Sequence, residues 1–90
     1  MILIESIKDS YLYFGTMKTL IDKNQVANML GVKPATVYRY RRQGIFLEDM
    51  HYVQINARVI RYYKEVIENW IICGQSNPNE HMEFIHKYFE

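Results

Sequence analysis

The sequence predicts a mainly helical fold with one small β-hairpin, and three observations carry that prediction. Glycine and proline punctuate the chain at Gly31, Pro34, Gly44, Gly74 and Pro78, cutting it into pieces of helix length. Between those marks apolar residues return every three or four positions, the period of one helix face. The period shortens only over 51–62, where HYVQI and RVIRY flank Asn56-Ala57 and read as two strands with a turn.

Taken in order, Ile4, Ile7, Tyr11 and Phe14 form one helical stripe, with Glu5, Lys8 and Asp9 off it. The β-branched start MILI equally suits a strand, so the opening stretch reads as helix or strand. Asp22 is placed to cap a helix over Lys23 to Leu30, with Gln25 as its reciprocal partner and Ile21 and Val26 as a hydrophobic staple. Val26, Ala27 and Leu30 face inward, and Gly31 ends the helix. Pro34 opens the next one at a position where its missing N–H is not needed. Val37, Tyr40 and the aliphatic stem of Arg41 lie on its inner side; Ala35, Thr36, Tyr38, Arg39, Arg42 and Gln43 lie outside, and Gly44 closes it. After the hairpin, whose tip carries Asn56, Ala57 and Arg58, a helix runs from Tyr63 to Cys73 with Tyr63, Val66, Ile67, Trp70 and Ile71 on one apolar face. A last helix starts with Asn77 as cap, Pro78 first and Glu80 third, and buries some of Met82, Ile85, Tyr88 and Phe89.

Charge is the next clue. The net charge of +1 hides an uneven distribution: residues 1–17 sum to −1, residues 18–64 to +6 and residues 65–90 to −4. A polyanion responds to the local patch, so a near-neutral total does not argue against nucleic acid. Two short helices joined by a Gly-containing turn, the second one basic, make a helix-turn-helix, which places its second helix in the major groove.

With the hairpin and the closing helix added, the order resembles the winged helix-turn-helix of excisionases and MerR-type DNA-binding domains. The resemblance rests on VANMLGVKPATVYRYRRQGIF (26–46), HYVQINARVIRY (51–62) and YKEVIENWI (63–71), and its motif residues are Ala27, Leu30, Gly31, Val32, Thr36, Val37 and Arg39. Two departures stand out: the wing turn is Asn56-Ala57 where excisionase wings are often basic and glycine-containing, and Arg41 occupies a commonly apolar position. The expected architecture is a winged helix-turn-helix with extra terminal helices in a single domain over 1–90. Its parts are an N-terminal arm or helix at 1–18, a core at 21–72 and a C-terminal helix at 77–90. The resemblance implies sequence-specific duplex binding by several copies side by side, with bending of the DNA.

Residue chemistry reaches similar ground. Lys33, Arg42, Arg58 and Arg61 suit phosphates, Arg39 suits a guanine edge, Ala35 or Thr36 a thymine methyl, and Tyr38 a phosphate or sugar. Regular strand alternation would put Arg58 and Arg61 on opposite sides, leaving one of them for DNA.

Other chemistries find little support. Cys73 is the single cysteine, so no internal disulfide or cysteine-built zinc site is possible, and His81 and His86 lack the four-residue spacing of a helical zinc pair. There is no Gly-rich phosphate loop and no nucleophile set, so the expectation is a protein without catalytic residues, cofactor, metal or small-molecule ligand. The first residues lack a basic signal region and no apolar run spans a bilayer, which points to a cytoplasmic protein, bacterial or phage-encoded. The apolar stripes at 4–14 and at Met82, Ile85 and Phe89 exceed what a core closed by Trp70 needs, which predicts a homodimer or cooperative assembly on DNA. The competing reading is a protein-interaction module on the same scaffold; RNA binding is a third, disfavoured by the lack of an aromatic platform on a broad sheet.

Overall fold

The capping signals of the sequence decide where the helices begin. In the computed structural model, which describes residues 18–90, the Asp22 carboxylate accepts from Gln25 N–H at 2.9 Å and the Gln25 side chain accepts from Asp22 N–H at 3.0 Å. This reciprocal pair starts α1 (Lys23–Leu30), and the staple residues Ile21 and Val26 are both buried beneath it. Gly31 stops α1 at a φ of 72°, a conformation a side chain resists, and Pro34 starts α2 (Pro34–Arg42) three residues later. At the other end Asn77 caps α4 (Pro78–Tyr88) by accepting from Glu80 N–H at 3.3 Å.

The hairpin forms as β2 (Tyr52–Gln54) and β3 (Ile60–Tyr63), in the register Tyr52↔Tyr62, Val53↔Arg61 and Gln54↔Ile60. A third strand that the sequence pattern did not suggest, β1 (Leu20–Ile21), pairs antiparallel with β3 on its other side. Two residues are too few to show an alternation. What holds them is pairing with Tyr62 and Tyr63, followed by a hydrogen bond from Lys64 N–H to Thr19 C=O at 2.9 Å.

The closing helix differs from its expected form. α3 covers Lys64–Asn69, and at Trp70 the backbone widens into a π-helical turn that runs to Gly74. The wider turn shifts the face by one residue, so Ile71 is 46% exposed and Ile72 78% exposed, whereas the period predicted Ile71 in the core. The α-part keeps two buried sides. Ile67 joins Val26, Val37, Phe46 and Tyr62 in the main core, while Val66 faces Ile85 and Tyr88 of α4 in a second cluster.

That second cluster takes up part of the C-terminal apolar stripe. Ile85 is buried and Met82 half-buried against Val66 and its neighbours, while Phe89 at the end of the stripe stays exposed. The Tyr88 hydroxyl adds a hydrogen bond to the Glu65 carboxylate at 2.7 Å. Burial would raise the Glu65 carboxyl; the hydrogen bonds from Tyr88 and Thr19 outweigh it and hold the group below its ordinary range. The N-terminal stripe of Ile4, Ile7, Tyr11 and Phe14, and the arm expected at 1–18 apart from Lys18, lie outside the described residues. Among the described residues no helix is long and apolar enough to cross a membrane.

Two glycines should respond differently to alanine. At Gly31 a methyl meets none of the described residues within 4 Å, so Gly31→Ala should cost only the left-handed conformation, about 1 kcal/mol. At Gly74 the methyl overlaps the indole of Trp70, itself hemmed in by Phe46 at 4.9 Å and Tyr40 at 6.0 Å. Denaturant unfolding should therefore show a larger loss for Gly74→Ala than for Gly31→Ala.

Candidate nucleic-acid interface

Burial of Val37 in the core turns the opposite side of α2 to solvent. Ala35, Tyr38, Arg39 and Arg42 are all exposed, and their spacing of three, one and three places them on one face. Thr36 is half-buried beside them and Lys33 is exposed at the N-terminal end of the helix. Arg42 Nη1 donates to the Tyr38 hydroxyl at 3.3 Å, which draws these two side chains together on that face.

Beside this ridge lies a groove of about 460 Å³ with three walls. The start of α1 supplies Asp22, Lys23 and Asn24, α2 supplies Tyr38 and Arg41, and the hairpin supplies Ala57, Arg58, Ile60, Arg61 and Tyr62. Among the described residues Lys23, Arg41, Arg58 and Arg61 thus share one concavity with a single carboxylate, Asp22, which is already occupied as the helix cap. The N-terminal partial charge of α1 adds to the positive field. Such a groove concentrates anions in a region that low-dielectric walls partly shield from water.

The hairpin tip is held by its own side chain. Asn56 Oδ1 accepts from Arg58 N–H at 2.9 Å and from Val59 N–H at 3.0 Å, and Ile55 N–H donates to Val59 C=O at 2.9 Å. An Asx turn therefore does what Asn-Gly does in other hairpins. It also places Arg58 in the turn, outside the regular strand, so Arg58 and Arg61 line the same groove despite the alternation argument that separated them.

Arg41 is the contributor that residue spacing did not single out as a site residue. Its guanidinium sits 5.1 Å from the Tyr38 ring centroid and 5.6 Å from that of Tyr52, and its Nε is buried without a hydrogen-bond partner among the described residues. The charge thus bridges α2 and the wing across two aromatic faces, each contact worth roughly 0.5–1 kcal/mol. Burial raises the Tyr62 hydroxyl above the ordinary phenol range, and the Arg41 guanidinium opposes that rise. Helical spacing put the Arg41 stem on the inner side; only the sheet register shows that Tyr52 and Tyr62 meet it there. Lys23 was visible as the first residue after the Asp22 cap, but its place in the groove depends on the hairpin folding back across α1.

The helix-turn-helix domain family model matches residues 20–72, from β1 to the π-helical turn, and the chain belongs to that family. The winged helix-turn-helix architecture follows from the match together with the fold, and DNA binding is the function the family suggests. Neither the curated proteins nor the solved structures gave a match to the chain.

The Asx turn makes a specific prediction. Asn56→Ala should leave α1, α2 and α4 folded but lower stability by about 1 kcal/mol and speed amide exchange at Arg58 and Val59. Exchange rates at those two amides, read against the rest of the sheet, check it.

Proposed function

We propose that the protein binds double-stranded DNA sequence-specifically, as an excisionase-like protein or a small transcriptional regulator of the phage or mobile-element type. The observation that carries this reading is the continuity of the exposed α2 face with the basic groove: Tyr38 belongs to both. In this reading α2 enters the major groove. Arg39 takes a guanine edge bidentately, Ala35 or Thr36 meets a thymine methyl, and Lys33 and Arg42 hold phosphates at the two ends of the helix. The hairpin acts as the wing, with Arg58 and Arg61 on the neighbouring backbone or the rim of the minor groove.

The same proposal treats 1–90 as one domain, with 21–72 as the reading core, 77–90 as an attached helix and 1–18 as an arm. It places the protein in the cytoplasm, acting on DNA without a cofactor. One recognition helix contacts too few base pairs to find a site among genomic competitors, so several copies should act together, as a homodimer or side by side on DNA. The candidate contacts are the N-terminal stripe, Phe89 at the exposed end of the C-terminal stripe, and the exposed pair Ile71 and Ile72. That exposed pair also favours the second reading, a protein-interaction module.

Selection from a random duplex library separates the two. The DNA reading predicts an enriched motif, and recovery of unselected sequence contradicts it. On the enriched site Arg39→Ala should weaken binding by ~1–3 kcal/mol and relax one or two base positions. Arg42→Ala should weaken all duplexes alike and flatten the salt slope by about one unit. If neither variant alters binding, α2 is not the reading helix.

A further inference from the structure

Two histidines far apart in sequence, His51 before β2 and His81 on α4, are only 3% and 4% exposed and take no part in the basic surface. Their rings meet end to end, with planes 29° apart and centroids 5.1 Å apart, and Nε2 of one lies 2.9 Å from Nε2 of the other. The outer nitrogens are also engaged. His51 Nδ1 accepts from Leu47 N–H at 3.0 Å, and His81 Nδ1 lies 2.6 Å from Asn69 Oδ1.

These contacts admit one arrangement of protons. A backbone N–H can only donate, so His51 Nδ1 carries the lone pair and its proton sits on Nε2. That proton is donated to His81 Nε2, which must carry a lone pair in turn. The His81 proton then sits on Nδ1 and is donated to Asn69 Oδ1, an atom that also lies 3.3 Å from Cys73 Sγ. The chain runs in a single direction, from Leu47 through His51 and His81 to Asn69. A further proton has no place in it. On His51 Nδ1 it would face Leu47 N–H, and on His81 Nε2 it would face the His51 proton.

We propose that His51, His81 and Asn69 form a proton-sensitive latch that fastens α4 to the root of the wing and releases it on mild acidification. His51 is well placed for this. Its N–H donates to Leu47 C=O at 2.8 Å, its C=O accepts from Tyr63 N–H at 3.0 Å, and its ring packs 5.5 Å from Phe46 in the main core. His81 is one turn into α4, followed by the buried Ile85 and Tyr88.

The groups around the latch do not favour a charged ring. Cys73 on the π-helical turn points at Asn69, and Glu65 on α3 is engaged by Tyr88 and Thr19. Glu80 on α4 accepts from the Asn77 side chain; it lines the cleft beside Asn69 together with Glu83 and Lys87, while Glu48 and Asp49 precede His51 in exposed positions. Burial lowers both histidines below the ordinary 6.5, with the neighbouring His81 adding to the effect on His51, which falls to about 4. Because the docked state prefers neutral rings, the latch is at full strength above pH 6.5 and weakens as pH falls from there towards 4.

The test is nuclear magnetic resonance on the wild-type chain. Ring nitrogen shifts at neutral pH should report His51 protonated on Nε2 and His81 on Nδ1; the same tautomer on both rings overturns the proposal. Below pH 6.5 amide exchange of α4 should quicken beyond its intrinsic pH dependence. The opening constant should rise about tenfold per pH unit for one proton taken up, and about a hundredfold for two, with α1 and α2 still protected. An α4 opening constant that is flat to pH 5, or loss of α1 and α2 protection in the same step, overturns it. In His81→Gln the carboxamide can accept from His51 and donate to Asn69 without titrating, so the slope should drop by one proton. An unchanged slope in a docked His81→Gln variant also overturns the latch, and the wild-type measurements decide by themselves if the variant does not dock. None of these readouts involves DNA, so the latch stands or falls separately from the proposed function.

Discussion

The burial of Tyr62 is the contact on which the basic surface depends. It lies on the central strand, paired with Ile21 on one side and Tyr52 on the other, and its ring meets Phe46 at 6.1 Å. Being 1% exposed, it fixes the sheet against the helix pair through the same core that holds Val26 and Val37. The wing therefore has a defined position relative to α2. If Tyr62 were free to move, Arg58 and Arg61 would not share a wall with Arg41 and Lys23, and the groove would be a set of scattered surface charges.

Arg41 extends that argument from packing to electrostatics. A guanidinium held between Tyr38 and Tyr52 is costly to desolvate, and its buried Nε has no partner among the described residues. The contacts to the aromatic faces offset part of that cost and leave a positive charge fixed between the helix and the wing. The charge distribution follows the same logic along the chain. The +6 segment of 18–64 carries the groove and the ridge, while in the acidic 65–90 segment α4 packs onto α3 through Val66, Ile85 and Tyr88.

Local chemistry was the legible part of the fold. The Asp22–Gln25 box, Gly31 and Gly44 at positive φ, Pro34 and the Asn77-Pro78 start are each decided by a few neighbouring residues, and each formed where the sequence placed it. The hairpin was visible from its β-branched and aromatic runs even without a glycine turn. What the sequence hid was set by partners far along the chain. β1 exists only because β3 offers an edge, and the π-helical turn at Trp70 moves Ile71 out of the face its period assigned. The same reason hid Arg41 and the His51–His81 pair. Their environments are made by residues on other elements, 30 positions apart in the case of the histidines, and no local spacing rule reaches that far.

In the proposed complex α2 and the wing together face DNA. The most direct measurement is a titration of the nitrogen-labelled protein with its enriched duplex, followed by amide and arginine side-chain shifts. The largest changes are expected at Ala35, Thr36, Tyr38, Arg39 and Arg42, with a second group at Arg58 and Arg61 and little movement along α4. Changes concentrated at Ile71, Ile72 and the π-helical turn, with α2 and the wing unmoved, would contradict it.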